Sequence, residues 1–140
     1  MIPIVQKLTA FQRGALLEHL LALSVEDRLL RFGMLTNDDT IRRYVEKIDF
    51  VSDRVFGIFG LNLQLIGAAH LALNHKDGFA ELGLSVNAGE RRHGYGLALL
   101  QRAKLHAVNR GFRTFFMCCL SENRTMVHLA LLAGLKVAVE

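Results

Sequence analysis

The chain has 140 residues, of which 51% are hydrophobic and only one is proline, so the composition predicts one folded domain and excludes a disordered or low-complexity protein. The net charge is +4, but no contiguous basic run or basic–aromatic pattern accompanies it. A nucleic-acid-binding domain is therefore supported by nothing except the total charge, and no nucleic-acid partner is expected. No apolar stretch reaches the ~18 to 20 residues of a membrane span and the first residues do not form a signal peptide, which predicts a cytoplasmic protein.

The first third of the chain predicts a strand followed by two or three short helices. The β-branched residues around Pro3 suit an edge strand. Thr9, Ser24 and the cluster 36–39 are N-cap residues that precede helical apolar patterns, and Gly33 ends the second helix. The predicted elements are a strand over 2–7 and helices over 10–23, 25–32 and about 39–48.

The middle of the chain changes to a period of two, which indicates strands. Turn residues at 60–62 and 74–78 separate three such runs, so the strands are predicted to form an antiparallel meander. Along the third strand, Leu82 and Leu84 share one face, whereas Glu81, Gly83 and Ser85 share the other. The predicted strands cover 55–59, 64–73 and 79–86.

The segment from Glu90 to Leu97 lies between the third strand and a helical pattern, and it contains two glycines one residue apart. Glycine permits a positive φ and lets a ligand approach the backbone closely. The N-terminus of the following helix offers N–H groups without intrahelical acceptors and about half an elementary positive charge. The pattern Arg91-x-x-Gly94-x-Gly96 therefore predicts a phosphate-binding corner.

The rest of the chain predicts a helix to residue 109, a strand over 112–120, a helix over 124–133 and the start of a strand over 135–139. A helix that connects two strands of one sheet predicts a parallel, right-handed crossover. Cys118 and Cys119 are neighbours in the predicted strand, so their side chains point to opposite faces. They are interpreted as reduced apolar residues, with a catalytic thiol as the alternative.

The combination of these segments resembles the GCN5-related N-acetyltransferase (GNAT) superfamily over most of the chain. The likeness depends on the strand 80–86, the loop Arg91-x-x-Gly94-x-Gly96, and Asn123 followed by Gly134. It implies a single α+β domain over 1–140, with a central mixed, mostly antiparallel sheet flanked by helices and a β-loop-α-β acetyl-CoA site without metal. The implied cofactor-binding residues are Leu84, Ser85 and Val86 for pantetheine, Arg91, Arg92, His93, Gly94, Tyr95 and Gly96 for pyrophosphate, and Asn123 for the cofactor arm.

A finer likeness is to bacterial protein-lysine acetyltransferase domains. It depends on Leu23-Ser24-x-Glu26-Asp27-Arg28-x-x-Arg31-Phe32 and on Leu120-Ser121-Glu122-Asn123-x-x-Met126. The resemblance implies direct transfer of an acetyl group from acetyl-CoA to a primary amine, either a small molecule or a protein lysine, with Glu81 as general base. A non-catalytic coenzyme A-binding regulatory module is the alternative.

The sequence departs from the family pattern in two places. Many members carry a tyrosine seven residues after the asparagine as general acid, and this position is Ala130 here. The family fold also ends in two more strands, whereas this sequence ends within the first, so the C-terminal strand pair is expected to be incomplete. Such an edge predicts a truncated domain or pairing with a second copy in a homodimer.

Several side chains keep two interpretations. Glu81 is a general base or a strand glutamate paired with an arginine, and His70 is a proton relay or a structural histidine. Arg28 and Arg31, three residues apart on one helix, either shape an acceptor pocket for an acidic substrate or form a solvated face. Asn123 is a helix N-cap, a cofactor ligand, or both.

Overall fold

The computed structural model describes residues 3–91, 93–117 and 123–135. The elements follow the predicted order, with three helices between the first strand and the meander. They are β1 (Gln6–Leu8), α1 (Arg13–Leu21), α2 (Val25–Phe32), α3 (Asp38–Lys47), β2 (Arg54–Phe59), β3 (Leu65–Asn74), β4 (Phe79–Val86), α4 (Tyr95–Asn109), β5 (Thr114–Met117) and α5 (Arg124–Leu132).

The five strands form one sheet in the order β1-β2-β3-β4-β5. The pairs from β1 to β4 are antiparallel, and β5 pairs parallel with β4 after the α4 crossover. The predicted meander, the parallel crossover and the mixed, mostly antiparallel sheet are therefore confirmed. Cys118 and Cys119, which were interpreted as reduced apolar residues, lie outside the described residues. The same holds for the predicted last strand beyond Leu135.

Helices cover both faces of the sheet and give it two hydrophobic cores. One core contains Phe56, Leu82, Leu84 and the buried face of α4, which includes Leu99 and Leu100. The other core packs α1 and α3 against the opposite face, where Val55, Leu65 and Ala68 are buried. Because side chains alternate along β4, the face that carries Glu81 is turned toward the helices α1–α3.

Local hydrogen bonds explain where the helices begin and end. The Ser24 and Asn37 side chains accept from the backbone N–H groups of Asp27 and Thr40 at 3.0 and 2.8 Å, as N-caps do. Gly33 ends α2 at φ 78°. Thr9 caps a short 3₁₀ turn at Ala10–Gln12 rather than the α-helix, which therefore starts three residues later than predicted. In the described part of the chain, no helix is both long and apolar enough to cross a membrane.

Candidate active site

A cleft of about 430 Å³ lies between the end of β4, the start of α4, the helix α5 and the helix α2. The described β4–β5 ladder reaches the pair Leu82–Met117, and β4 continues to Val86 along the cleft. The structure brings most of the predicted cofactor residues to this place. Those that line the cleft are Leu84, Ser85, Val86, Arg91, Gly94, Tyr95, Gly96 and Asn123.

Among the described loop residues, His93 is not one of those lining residues. His93 is exposed, and its ring lies 5.5 Å from the Tyr95 ring. Arg92 lies outside the described residues. The described loop residues that line the cleft are Glu90, Arg91, Gly94, Tyr95, Gly96 and Leu97.

The two glycines have different roles at the start of α4. Gly94 adopts φ 79°, and a Cβ built on it would meet no atom within 4 Å, so the backbone there is both left-handed and open. A Cβ on Gly96 would lie 2.9 Å from the Leu129 Cδ1 atom, so this glycine lets α4 and α5 approach each other. The first turn of α4 thus borders the cleft, and free N–H groups at a helix start are suited to a phosphate.

Arg91, in the loop, contacts both α2 and the end of β4. Its Nη2 atom lies 2.9 Å from the Asp27 carboxylate on α2, and its Nε and Nη2 atoms donate to the Val86 carbonyl, both at 3.3 Å. The side chain remains 45% exposed. Arg91 therefore links α2 to the end of β4, and its exposed part stays available to an anion.

Asn123 is the N-cap of α5 and also borders the cleft. Its side chain accepts a hydrogen bond of 3.2 Å from the Met126 N–H and so caps α5. The same residue lines the cleft. Ala130, seven residues later, is buried on α5 and supplies no hydroxyl.

Glu81 is half-buried in the middle of β4, opposite Ala72 of β3 and Phe116 of β5. His70 lies opposite Gly83, so His70 is the diagonal neighbour of Glu81 on the same face. The sheet therefore holds the predicted base and the predicted relay side by side.

His70 belongs to a chain of polar side chains that also includes Asp53 and Tyr44. Its Nε2 atom lies 2.8 Å from the Asp53 carboxylate, and its Nδ1 atom contacts the Tyr44 hydroxyl. Burial lowers the pKa of His70, although Asp53 opposes this effect. The neutral imidazole then donates from Nε2 to Asp53 and accepts at Nδ1 from Tyr44.

His19 on α1 was not recognised as a site residue from the sequence. It is 3% exposed, and its Nε2 atom lies 2.8 Å from the Ser85 hydroxyl, which borders the cleft. Burial lowers the pKa of His19 from 6.5 to about 4. Its spacing from Leu16 and Leu23, at three and four residues, is the signal that places it on the buried face of the helix.

The two arginines of α2 differ from each other in their partners. Arg28 donates to the carbonyls of Leu21, Leu23 and Thr36 at 2.7–3.1 Å and pairs with Asp38 at 2.8 Å. Arg31 lines the cleft and is only 8% exposed. The interpretation of both as a solvated face is wrong, because both guanidinium groups are buried against the protein.

The fold, the glycine loop at a helix start and the cleft at the end of β4 together define an acetyltransferase of the GNAT type. The family model described as "Acetyltransferase (GNAT) family" matches residues 26–134. The chain therefore belongs to the GNAT acetyltransferase family. No curated protein sequence matches the chain significantly.

Solved structures share this fold at low sequence identity. The GNAT domain of S. lividans PAT is 20% identical with a TM-score of 0.74, and the alignment covers 93% of this chain and 79% of that domain. A ribosomal-protein-alanine N-acetyltransferase from Brucella melitensis is 19% identical with a TM-score of 0.72, over 94% of this chain and 83% of that one. Spermidine N-acetyltransferase from Vibrio cholerae, solved with CoA and spermine, is 18% identical with a TM-score of 0.70, over 94% and 79%.

Proposed function

We propose that this protein transfers an acetyl group directly from acetyl-CoA to a primary amine, with Glu81 as general base. The observation that carries the proposal is the cleft at the end of β4. One end of the cleft meets the glycine loop, and the β4 strand beside it carries Glu81 on the face toward α1–α3. A phosphate-binding corner and a carboxylate on one strand are the two features that this chemistry requires.

The residues at the loop fit a coenzyme A thioester. The open, left-handed backbone at Gly94 and the start of α4 suit the pyrophosphate, together with Arg91, Tyr95 and Gly96. The backbone of Leu84–Val86 suits the amide groups of pantetheine, which can pair with a strand edge. CoA is bound in the V. cholerae relative, and this supports the same co-substrate here.

The reaction needs a neutral amine. An alkylamine has a pKa of ~10.4, so removing its proton at pH 7 costs roughly 4 to 5 kcal/mol, and a positioned base contributes about 10²- to 10⁴-fold in rate. In the proposed step the amine nitrogen attacks the thioester carbonyl, the C–S bond breaks, and the amine proton passes to Glu81. A backbone N–H of β4 stabilises the developing oxyanion. Since Ala130 cannot donate a proton, solvent protonates the leaving thiolate.

Two measurements test the proposal in sequence. Titration calorimetry with acetyl-CoA should show saturable binding near one site per chain, and the absence of binding would rule out the function. A thiol-release assay with small amines and lysine peptides should then show turnover. Binding without turnover of any amine would favour the non-catalytic coenzyme A-binding module.

The role of Glu81 needs a separate test. Glu81→Gln should lower kcat by about 10²-fold or more, with little change in acetyl-CoA affinity. It should also remove the part of the pH dependence of kcat/KM that is due to the general base. Glu46→Gln, an exposed acid on α3, is the matched control. Unchanged turnover and pH profile in Glu81→Gln would show that another group is the base.

A further inference from the structure

Arg31 is held in one position by the two aromatic rings beside it. Its guanidinium lies 4.5 Å from the Phe32 ring centre and 5.7 Å from that of Tyr44, and its Nη2 atom donates to the Tyr44 hydroxyl at 3.0 Å. Tyr44 in turn contacts His70, whose other ring nitrogen lies 2.8 Å from the Asp53 carboxylate. The guanidinium is therefore preorganised, which lowers the entropic cost of binding a ligand.

Arg31 differs from the neighbouring arginines in its ion pairs. Arg28 pairs with Asp38 and Arg91 pairs with Asp27, but none of the ion pairs between described residues includes Arg31. The residue is nevertheless only 8% exposed. An anion stabilises a buried guanidinium, so the site is suited to a ligand that brings a negative charge.

The position of Arg31 separates it from the phosphate end of the cleft. A Cβ on Gly83 would lie 2.1 Å from the guanidinium carbon, so the group sits directly over this residue. Gly83 is three residues, or about 10 Å, from Val86 at the loop end of β4. It is two residues, or about 7 Å, from Glu81 on the same face. Along β4, the position of Arg31 is therefore closer to the proposed base than to the phosphate end of the cleft.

We propose that Arg31 binds a carboxylate of the acceptor, so that the preferred acceptors are amines with a carboxylate close by, such as free amino acids. This inference rests on the proposed acetyl transfer. A planar guanidinium binds a carboxylate through two parallel hydrogen bonds, and that contact would orient the amine toward Glu81. The absence of a side chain at Gly83 provides the room for the guanidinium.

Matched acceptor pairs test the inference. The kcat/KM for L-amino acids and for the corresponding amino acid amides is compared within each protein variant, so that the intrinsic reactivity of each amine cancels between variants. In Arg31→Gln the preference for acid over amide should fall about 10- to 100-fold relative to wild type. Arg31→Lys keeps the charge but not the two parallel donors of the guanidinium, so it should recover part of the preference for acid over amide.

A second variant keeps the arginine and moves it. Gly83→Ala places a methyl group where the guanidinium lies, and because the end of an arginine side chain can shift, the protein should fold and lose the preference as Arg31→Gln does. Arg43→Gln removes an exposed charge from α3 and should leave kcat/KM unchanged for both the acids and the amides. Calorimetry should show wild-type acetyl-CoA affinity in both Arg31 variants.

Three outcomes would overturn the inference. Equal losses for acids and amides would mean that Arg31 has no carboxylate-specific role. A wild-type enzyme that acetylates amides but not acids would leave acetyl transfer intact and contradict the substrate class. A large loss of acetyl-CoA affinity in Arg31→Gln would assign the residue to the cofactor. Failure with every amine, by contrast, would refute the proposed function itself.

Discussion

Two imidazoles, those of His19 and His70, are buried on the side of the sheet that faces α1–α3, and burial lowers the pKa of both. His19 bonds Ser85 of β4, and His70 bonds Asp53 and Tyr44. Each must be neutral for the native packing to be stable at neutral pH. Protonation of either group therefore favours the unfolded chain, where the imidazole is hydrated.

The first prediction concerns the stability of the protein below neutral pH. The folded pKa of His19, about 4, lies below its unfolded value of 6.5, so the unfolded state binds more protons between these values. The free energy of unfolding should be unaffected by this group above pH 6.5 and should decrease as the pH falls toward 4, by about 3 kcal/mol for His19 alone. Urea unfolding at a series of pH values measures the decrease.

His19→Gln identifies the source of that decrease. The amide can still bond Ser85 but does not titrate, so the variant should be less sensitive to pH in this window even if it is less stable at pH 7. His128→Gln removes an exposed imidazole from α5 and serves as the control. An unchanged pH dependence in His19→Gln would show that His19 does not set the acid sensitivity.

At the scale of elements, α2 carries residues of both ends of the cleft. Asp27 in its first turn pairs with Arg91 of the loop, and Arg31 in its last turn lies over Gly83. The helix is short, at eight residues, and depends on Ser24 at its start and Gly33 at its end. Its position should therefore be sensitive to the N-cap.

The second prediction is that Ser24→Ala destabilises α2 and weakens both ends of the site. Loss of the Ser24 hydrogen bond to the Asp27 N–H should cost about 1 kcal/mol of folding free energy. Because Asp27 and Arg31 then hold their positions less tightly, KM should rise for acetyl-CoA and for the acceptor together. Urea unfolding and steady-state kinetics measure the two effects.

Ser24→Asp provides the matched control, because aspartate is also a good N-cap and its charge suits a helix N-terminus. This variant should retain wild-type stability and kinetics. If Ser24→Ala and Ser24→Asp behave alike, the cap is not what positions α2.

Local signals placed most elements well, although the first strand, predicted over 2–7, is Gln6–Leu8. The Ser24 cap and the Gly33 terminator gave α2 with the observed limits, Val25–Phe32. The start of α1 was missed because Thr9 and Gln12 form a reciprocal capping box around a 3₁₀ turn, and a capping box in a sequence does not specify which kind of helix follows. Alternation along β4 likewise predicted which face carries Glu81.

At the scale of the whole molecule, the long-range side-chain contacts of the candidate site could not be predicted from one sequence. His19 and Ser85 are 66 residues apart, and Tyr44 and His70 are 26 apart. Their contact depends on how α1 and α3 pack on the sheet, which local patterns do not specify. For the same reason the sequence could not distinguish Arg28, which satisfies backbone carbonyls, from Arg31, which faces the cleft.

The cleft takes its walls from α2, β4, α4 and α5, so a ligand that fills it should stabilise the domain as a unit. Two glycines near the loop allow this to be tested with a matched pair. Gly94 has φ 79°, whereas Gly89 has an ordinary backbone, and a Cβ on either meets no atom within 4 Å. Alanine at Gly94 should therefore cost about 1 kcal/mol through backbone conformation alone.

The third prediction is that acetyl-CoA raises the melting temperature and that the increase depends on Gly94. At about 100 times Kd, binding to the folded state alone contributes about 2.7 kcal/mol, which for a chain of this length corresponds to about 9 °C. Gly89→Ala should show the same increase as wild type. Gly94→Ala should melt lower without ligand and gain less at the same ligand concentration, because its strained loop no longer presents the start of α4 to the pyrophosphate. An equal gain in both variants, measured by thermal unfolding across a ligand series, would place the cofactor away from the glycine loop.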